Sequence, residues 1–392
     1  MKRLVLLGGG HSHVHVLDAF ARQPPKDAAV TLLTPGRLQI YSGMLPGWLA
    51  GHYRLRECAI PVAALARRAG ARFVRGHAVG LDTRARRVLC ADGACLPYDL
   101  LSIDTGAVAD LATLPGAEQH VLPVRPIDRF VHGCAALLAQ AEARPHSTIT
   151  LIGGGAAGVE LALALHHRLR READGGRLHL RLVSAGERLL PGHPARVGAL
   201  LARHLALCGI ELRRGRRVVA CRAGGLVLDG GEEIASDFTL AATGAKAPSW
   251  PAAAGLAVDD TGFIRVDACL QSFSHPEVFA AGDVAAMEGQ PRPKSGVYAV
   301  RAGPPLARNL RLALDGRPLQ PHLPQRRALC LVATGGRHAV ASWGPLAWQG
   351  DWVWRWKDRI DRAFITRFAA DASAPLNLPA GEPSSHGDSL RS

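Results

Sequence analysis

The sequence predicts an α/β protein in which two copies of a parallel-sheet unit are followed by a small C-terminal α+β domain. Residues 4–17 read LVLLGGGHSHVHVL and residues 149–163 read ITLIGGGAAGVELAL, so an apolar run, three glycines and a helical pattern occur twice. No apolar stretch approaches the roughly 20 residues that a membrane-spanning helix needs. A strand that turns through glycines into a helix begins a βαβ unit, and such units build parallel sheets covered by helices.

The composition is typical of a protein from a reducing compartment. The chain has 392 residues, a formal net charge of +14 and 8 cysteines, a length that suggests two or three domains. So few cysteines do not indicate a disulfide scaffold, and we expect a cytoplasmic location. The first apolar run ends in glycines without a cleavage pattern, which predicts a buried strand and no secretion signal. Nearly all basic residues are Arg, as a coding bias would produce, so no nucleic-acid partner is predicted.

The second copy contains a complete G-x-G-x-x-G motif formed by Gly153, Gly155 and Gly158. The first glycine permits a tight turn, the second lets the backbone approach a diphosphate, and the third lets helix and strand pack closely. The amides at the start of the helix then face the anion. The next strand ends at Ser184, which would not repel a ribose 2′-phosphate, but Glu187 lies within reach of the ribose hydroxyls and favours NADH. We give the ligand as NAD(P)H.

The first copy departs from this pattern. Gly8 and Gly10 are present, but His13 stands at the third glycine position, and the next strand ends in Thr34 where an acidic residue is expected. His11 and His15 have the i, i+4 spacing of two metal ligands on a helix. However, Asp18 is the only further ligand-type residue nearby, so a phosphate turn is the preferred interpretation and no metal is predicted.

Four motifs in a specific order extend the comparison to most of the chain. After the first unit comes YDLLSIDTGA (98–107), after the second DFTLAATGA (237–245), then EVFAAGDVA (277–285) and PKSGVYAVRAG (293–303). Over roughly residues 1–315 this set resembles the pyridine nucleotide-disulfide oxidoreductase superfamily. GGGHSHV with YSGMLPGWLAGHY (41–53) is similar to an NADH dehydrogenase-like branch that is often associated with selenide water dikinase, in which GGGH-x-HV replaces the usual turn.

The resemblance implies an FAD-dependent NAD(P)H oxidoreductase with a split first domain. FAD would bind to residues 1–108 and 246–318, NAD(P)H to the inserted residues 109–245, residues 319–370 would form an interface domain, and 371–392 a disordered tail. The implied FAD contacts are Gly8, Gly10, His11, His13, Thr34, Arg37, Ser42, Thr105, Gly106, Gly282, Asp283, Gly296 and Val297. The implied NAD(P)H contacts are Gly153, Gly155, Gly158, Ser184, Thr243 and Gly244.

Two side chains are predicted to act in catalysis. Glu160 would point from the helix start toward the nicotinamide, although a carboxylate there is also favoured by the helix dipole alone. Lys294 would lie near the flavin pyrimidine edge, or else be a solvated loop lysine. Cofactors supply the chemistry in enzymes of this kind, and the protein supplies position and charge.

The electron acceptor is expected to be a quinone, as in type II NADH dehydrogenases. The resemblance is incomplete, because Val297 and Arg301 occupy the positions where those enzymes carry Gln. A sulfide:quinone reductase is an alternative, with Cys330 as one thiol and Cys134 as a distant second; an accessory role in selenium metabolism is another. Cys90 and Cys95 flank the hairpin dipeptide Asp92-Gly93, which favours a structural role for both.

The C-terminal region contains an amphipathic helix rich in tryptophan. Residues 350–368 read GDWVWRWKDRIDRAFITRF, and a helix would align Trp352, Trp356, Ile360, Ala363 and Phe364 opposite a basic face. This pattern is typical of contact with a membrane surface. The alternatives are packing on the protein's own body and a homodimer contact. The corresponding location is the inner face of the cell membrane, as a peripheral protein.

Overall fold

A computed structural model, which describes residues 1–144, 146–172 and 178–369, confirms the α/β class. Two five-stranded parallel sheets each carry helices, and smaller two- and three-stranded sheets accompany them. The expected disordered tail, residues 371–392, lies outside the described residues.

The first segment forms most of one parallel sheet and an antiparallel meander. Its elements are β1 (Lys2–Leu7), α1 (His11–Arg22), β2 (Ala28–Thr34), β3 (Gln39–Ile40), α2 (Leu45–Leu49), β4 (Ala59–Ile60), α3 (Val62–Arg68), β5 (Arg72–Arg75), β6 (Ala78–Asp82), β7 (Arg87–Cys90), β8 (Cys95–Pro97), β9 (Leu100–Ile103) and β10 (Val108–Ala109). β1 pairs with β2 on one side and β9 on the other. The direction of winding therefore reverses at β1, and in such sheets ligands bind beyond the strand ends at that point.

The second segment repeats this design around β12. Its elements are α4 (Ala117–His120), β11 (Val121–Pro123), α5 (Ile127–Ala143), β12 (Thr148–Ile152), α6 (Ala156–Glu172), β13 (His179–Val183), α7 (Ala195–Leu207), β14 (Glu211–Arg213), β15 (Val218–Arg222), β16 (Gly225–Leu228), β17 (Glu233–Ala235) and β18 (Phe238–Ala241). The sheet order β11-β18-β12-β13-β14 places its reversal at β12. An antiparallel meander, β15 to β17, again follows the parallel strands.

The chain then returns to the first sheet. This segment contains β19 (Ala245–Lys246), α8 (Trp250–Ala253), β20 (Ile264–Val266), β21 (Val278–Ala280), β22 (Ala285–Met287) and α9 (Gly296–Leu314). β10 and β19 pair where the chain leaves and re-enters the first unit. β21 completes the order β21-β9-β1-β2-β5, so the first sheet combines strands from both ends of the insertion.

The C-terminal part is a three-stranded antiparallel sheet followed by a helix. It contains β23 (Cys330–Ala333), β24 (Ala339–Trp343), β25 (Leu346–Gly350) and α10 (Asp351–Ala369). α10 is docked through a strip that the sequence pattern did not select: Val353, Trp354, Asp361, Ile365 and Phe368 are buried. Much of the expected apolar face stays in solvent, since Trp352, Trp356 and Ile360 are 50%, 39% and 40% exposed. Among the described residues, no helix is long and apolar enough to cross a bilayer.

Candidate functional site

The first glycine turn, between β1 and α1, is closely enclosed by the strand ends beside it. Gly8 has a φ of +95°, and a Cβ atom there would lie 2.4 Å from the carbonyl oxygen of Asp104. A Cβ atom on Gly9 would lie 3.1 Å from Oγ1 of Thr34, and one on Gly10 would lie 2.5 Å from the Asp104 carboxylate. Only glycine fits at Gly8 and Gly10, and the turn brings the amino terminus of α1 to the edge of the sheet, as a bound diphosphate requires.

His13, at the third glycine position, joins the turn to β9. Its ring is fully buried, with Nδ1 2.6 Å from the carbonyl oxygen of Gly8 and Nε2 2.8 Å from Oγ of Ser102. Burial lowers the pKa of His13 to about 4, so the ring is neutral. Because the Gly8 carbonyl only accepts, Nδ1 carries the proton and Nε2 accepts from the serine. A hydrogen-bonded bridge thus replaces the direct helix–strand contact that a glycine would allow.

His11 and His15 point toward the C-terminal helix. The His11 ring lies 6.1 Å from the Phe364 ring and 5.4 Å from the Tyr41 ring, and the His15 ring lies 4.9 Å from the Phe368 ring. Burial lowers the pKa of both histidines to about 4. Nε2 of each has no hydrogen-bond partner among the described residues, and in the same part of the chain no group of three or more His, Cys, Asp or Glu side chains could hold a metal ion.

Asp283 lies in a 3-10 turn that begins at Gly282, where φ is +72°. Its carboxylate pairs with Arg125 at 3.0 Å, and the charges of both residues act on His11. Arg125, just after β11, is a candidate site residue that sequence reasoning missed. The unpartnered Nε2 of His11 near this ion pair is a polar group that a flavin cofactor could satisfy, so the residues present fit FAD.

The remaining predicted flavin contacts lie on the loops around this turn. Thr105 and Gly106 are the second and third residues after β9, and Val297 is the second residue of α9. Oγ of Ser42 would lie 3.6 Å from a Cβ atom on Gly296, the residue that begins α9. Arg37 is exposed beyond the end of β2.

The second glycine turn, between β12 and α6, is also sterically closed at two of its three motif glycines. Gly153 has a φ of +125°, and a Cβ atom there would lie 2.3 Å from the carbonyl oxygen of Ala242. A Cβ atom on Gly158 would lie 1.9 Å from the carbonyl oxygen of Gly153, whereas Gly155 faces open space. Oγ1 of Thr243 is buried and has no hydrogen-bond partner in the part of the chain that the structure describes. This combination suits a dinucleotide that approaches at Gly155.

The candidate ribose site beyond β13 is formed by a serine turn. Ser184 is buried, and its hydroxyl donates to the carbonyl oxygen of Gly186 at 3.0 Å. The Glu187 side chain lies against Gly215, where a Cβ atom would be 2.0 Å from Oε1. Gly244 follows Thr243 after β18 and faces open space. The contacts of these residues with NAD(P)H remain predictions.

Lys294 lies beside Asp283 in the wall of a cavity of about 420 Å³. Its ammonium group donates to the carbonyl oxygen of Ala285 and lies 3.9 Å from the centre of the Phe263 ring. Burial lowers the pKa of Lys294. The lysine is therefore a partly buried cation with protein partners, in contrast to the alternative of a solvated loop residue.

Glu160 faces the C-terminal sheet. Its Oε1 accepts the backbone N–H of Ala333 at 2.7 Å, and burial raises the pKa of Glu160 to about 7 against the effect of Lys357. Nζ of Lys357 donates at 2.6 Å both to Asp361 and to the carbonyl oxygen of Gly43. Burial disfavours the Lys357 charge, but Asp361 and Glu160 outweigh it and raise the pKa of Lys357.

Tyr41 and Cys330 complete this group, which we call the Lys357 cluster: Tyr41, Glu160, Cys330, Lys357 and Asp361. The Tyr41 hydroxyl bonds to Asp361, and burial raises the pKa of the phenol. Burial and the charge of Glu160 raise the pKa of the Cys330 thiol to about 12. The cluster joins the first unit, α6 of the second unit and α10. Sequence reasoning selected Glu160 and Cys330 but missed Lys357 and Asp361, whose i, i+4 spacing on the amphipathic helix was the available signal.

A model of the family described as pyridine nucleotide-disulphide oxidoreductase matches residues 2–303. The chain belongs to this family. The resemblance to this superfamily that the motifs indicate is thereby confirmed.

Individual relatives extend the comparison. An NADH dehydrogenase-like protein of Mycobacterium tuberculosis is 29% identical over 59% of this chain, and the match spans only 60% of that relative. A type II NADH:quinone oxidoreductase of Staphylococcus epidermidis is 23% identical over 81% of this chain and 84% of its own length. The solved sulfide:quinone oxidoreductase of Aquifex aeolicus has a TM-score of 0.79 at 19% identity, with 94% of this chain and 92% of that chain covered. This last likeness shows the fold alone.

The cysteines of this family member are all free thiols. Cys90 and Cys95 lie on the antiparallel strands β7 and β8, on either side of the expected hairpin turn, in which Gly93 has a φ of +81°. Cys134 is fully buried within α5. The charged groups that act on the pKa of the Cys330 thiol are Glu160 and Lys357. A second cysteine is not among them.

Proposed function

We propose that this family member is a type II NADH dehydrogenase-like enzyme that oxidises NAD(P)H and reduces a quinone. When bound, FAD would accept a hydride from NAD(P)H and pass electrons to the acceptor. The observation that carries the proposal is the Lys357 cluster, because it places an ionisable carboxyl group, Glu160, where the two nucleotide-binding units and the C-terminal helix meet.

The chain's own residues would position the cofactors and supply a proton. Reduction of a quinone to a quinol consumes two protons. With a pKa of about 7, the Glu160 carboxyl group is divided between its acid and its base at neutral pH, which suits a general acid. Lys357, held by Asp361 and Gly43, would place a fixed positive charge beside the proton donor.

The thiols do not support sulfide oxidation. A thiol must be deprotonated to act as a nucleophile, and the Cys330 pKa of about 12 keeps it protonated at neutral pH. Cys134, the other cysteine considered, is buried in α5. The accessory role in selenium metabolism stays a prediction.

We further propose that the C-terminal part contacts a membrane surface, where quinones reside. In addition to Trp352, Trp356 and Ile360 on α10, Trp343 and Leu346 at the β24–β25 turn are 50% and 47% exposed. The available charge is smaller than the sequence suggests, since Lys357 pairs with Asp361 and Arg362 with Asp358. Binding would therefore depend mainly on the exposed rings, which suits reversible contact.

Anaerobic stopped flow tests the activity directly. We expect NADH to bleach the absorbance of the bound flavin rapidly, and a soluble quinone analogue to support many turnovers. Sulfide is the matched alternative donor. Bleaching by sulfide but not by NADH, or purified protein that cannot bind FAD, would exclude the proposed function.

A further inference from the structure

The carboxyl group of Asp104 lies inside the first glycine turn. Asp104 follows β9 and is 3% exposed. A Cβ atom on Gly10 would lie 2.5 Å from the carboxyl group, and one on Gly282 would lie 2.3 Å from its Oδ1. Two predicted flavin contacts are therefore glycines because they leave room for this side chain.

Asp104 also bonds to the amino terminus of α1. Its Oδ2 accepts the backbone N–H of His13 at 2.9 Å, and the backbone N–H of Ser12 bonds to the same carboxyl group. In a dinucleotide-binding turn, the anionic diphosphate lies at this end of the helix. The side chain and the cofactor diphosphate would thus share one helix terminus.

The surroundings of Asp104 contain little positive charge to balance an ionised carboxylate. The histidine next to it on α1, His13, is neutral at pH 7 because burial lowers its pKa to about 4. Asp283 acts on it from the 3-10 turn, and the nearby cation Arg125 is paired with Asp283 at 3.0 Å. Burial raises the pKa of Asp104 to about 7, the two amides oppose that shift, and Asp283 adds to it.

We propose that Asp104 is a cofactor-binding residue of this turn and that it binds FAD as the neutral carboxylic acid, so that FAD binding takes up one proton from solvent. The diphosphate brings negative charge to a buried site in which electrostatic repulsion is weakly screened. The neutral acid avoids this repulsion and still accepts from the two amides. The inference rests on the proposed assignment of FAD to the first turn.

The test is the pH dependence of FAD binding to apoprotein. If only the protonated form binds and the pKa of the free site is about 7, the FAD dissociation constant should rise about thirtyfold between pH 6.0 and pH 8.5. Isothermal titration at pH 7.5 in two buffers of different ionisation enthalpy should show net proton uptake. Asp104→Asn keeps the shape of the side chain but removes the group that titrates. The FAD dissociation constant of this variant should therefore change less than about twofold between pH 6.0 and pH 8.5.

Asp110→Asn is the control, because Asp110 is an exposed acid that pairs with Lys246 and should leave the wild-type slope unchanged. A pH-independent wild-type dissociation constant without proton uptake would overturn the inference, as would a slope that persists in Asp104→Asn. If Asp104→Asn does not fold, the wild-type proton uptake alone decides the question. A protein that binds no FAD at any pH would instead refute the flavin assignment itself.

Discussion

A side chain at Gly158 would clash with the glycine turn of the second unit, which we assign to NAD(P)H. A Cβ atom there would lie 1.9 Å from the carbonyl oxygen of Gly153, so Gly158→Val must push α6 away from its turn, at a typical cost of about 1–3 kcal/mol. We expect the variant to retain FAD but to lose reduction by NADH, measured as the rate of flavin bleaching. Gly192→Ala, which adds a methyl group in open space, should reduce normally. Normal bleaching in Gly158→Val would contradict the assignment of NAD(P)H to this unit.

A substitution at Asp283 tests the assignment of FAD to the first unit. Asp283→Ala removes a charged hydrogen-bond acceptor and leaves Arg125 without its 3.0 Å partner. Loss of a hydrogen bond to a charged group costs about 1.5–3 kcal/mol, so we expect FAD affinity to fall by roughly one to two orders of magnitude. Equilibrium dialysis against FAD measures the change. Unchanged affinity would show that the carboxylate does not contact the cofactor.

The raised pKa of Glu160 predicts that reduction of the acceptor depends on pH. Its folded-state pKa is raised to about 7, so the carboxyl group is protonated below pH 7 and ionised above it. If Glu160 donates a proton to the acceptor, turnover with a quinone analogue should decline as pH rises through 7. Glu160→Gln should lose this decline and turn over about a hundredfold more slowly, while flavin bleaching by NADH stays fast. Glu233→Gln, an exposed acid paired with Arg222, should keep the wild-type profile; a decline that persists in Glu160→Gln assigns the titration elsewhere.

The site residues that sequence reasoning missed share one physical feature. Asp104, Arg125 and Lys357 act on partners far away in the chain. A glycine turn is visible in the sequence because its requirement is local, namely backbone shape within a few residues. The Arg125–Asp283 ion pair and the carboxyl group of Asp104 inside the glycine turn depend on which strand ends meet, and no short pattern encodes that meeting.

Among the elements, α10 shows how a correct helix prediction can leave the buried face undetermined. The helix exists as expected, but two strips of it are apolar, and Phe364 and Phe368 pack on the histidine rings of α1. The strip with Trp352 and Trp356 stays exposed, with the two rings stacked at 6.3 Å. The choice between the strips depends on complementarity with the strands β23 to β25 and with the histidine rings of α1, which the helix sequence alone does not contain.

The exposed strip gives a prediction for membrane contact. Trp352→Ser combined with Trp356→Ser should abolish most co-sedimentation with anionic vesicles at low salt, because the rings provide the buried apolar area. Thermal stability should change little, since Trp352 and Trp356 are already 50% and 39% exposed. Leu207→Ser, at an exposed position on α7, is the matched control. If the wild-type protein does not bind vesicles, the exposed strip does not contact a membrane and this prediction is wrong.

In the whole molecule, the two nucleotide-binding units and the C-terminal part meet at the Lys357 cluster. The two parallel sheets follow from the glycine turns and could be predicted, because each turn specifies the strand before it and the helix after it. The packing of the two sheets and the C-terminal helix around one buried lysine could not be predicted from the sequence. Lys357 bonds to the first unit at Gly43 and to its own helix at Asp361, and its charge acts on Glu160 of the second unit.

Lys357 therefore affects both the stability of the folded protein and the pKa of Glu160. Two variants separate these effects. Lys357→Met leaves Asp361 buried without its cation, which typically costs about 3–5 kcal/mol, so the midpoint of urea unfolding should fall clearly. Adding Asp361→Leu removes the uncompensated charge and should restore most of that stability. Both variants lack the cation that lowers the Glu160 pKa, so in both the decline of turnover should move above pH 7. If the double variant regains stability together with the wild-type pH profile, Lys357 holds the parts together without tuning Glu160.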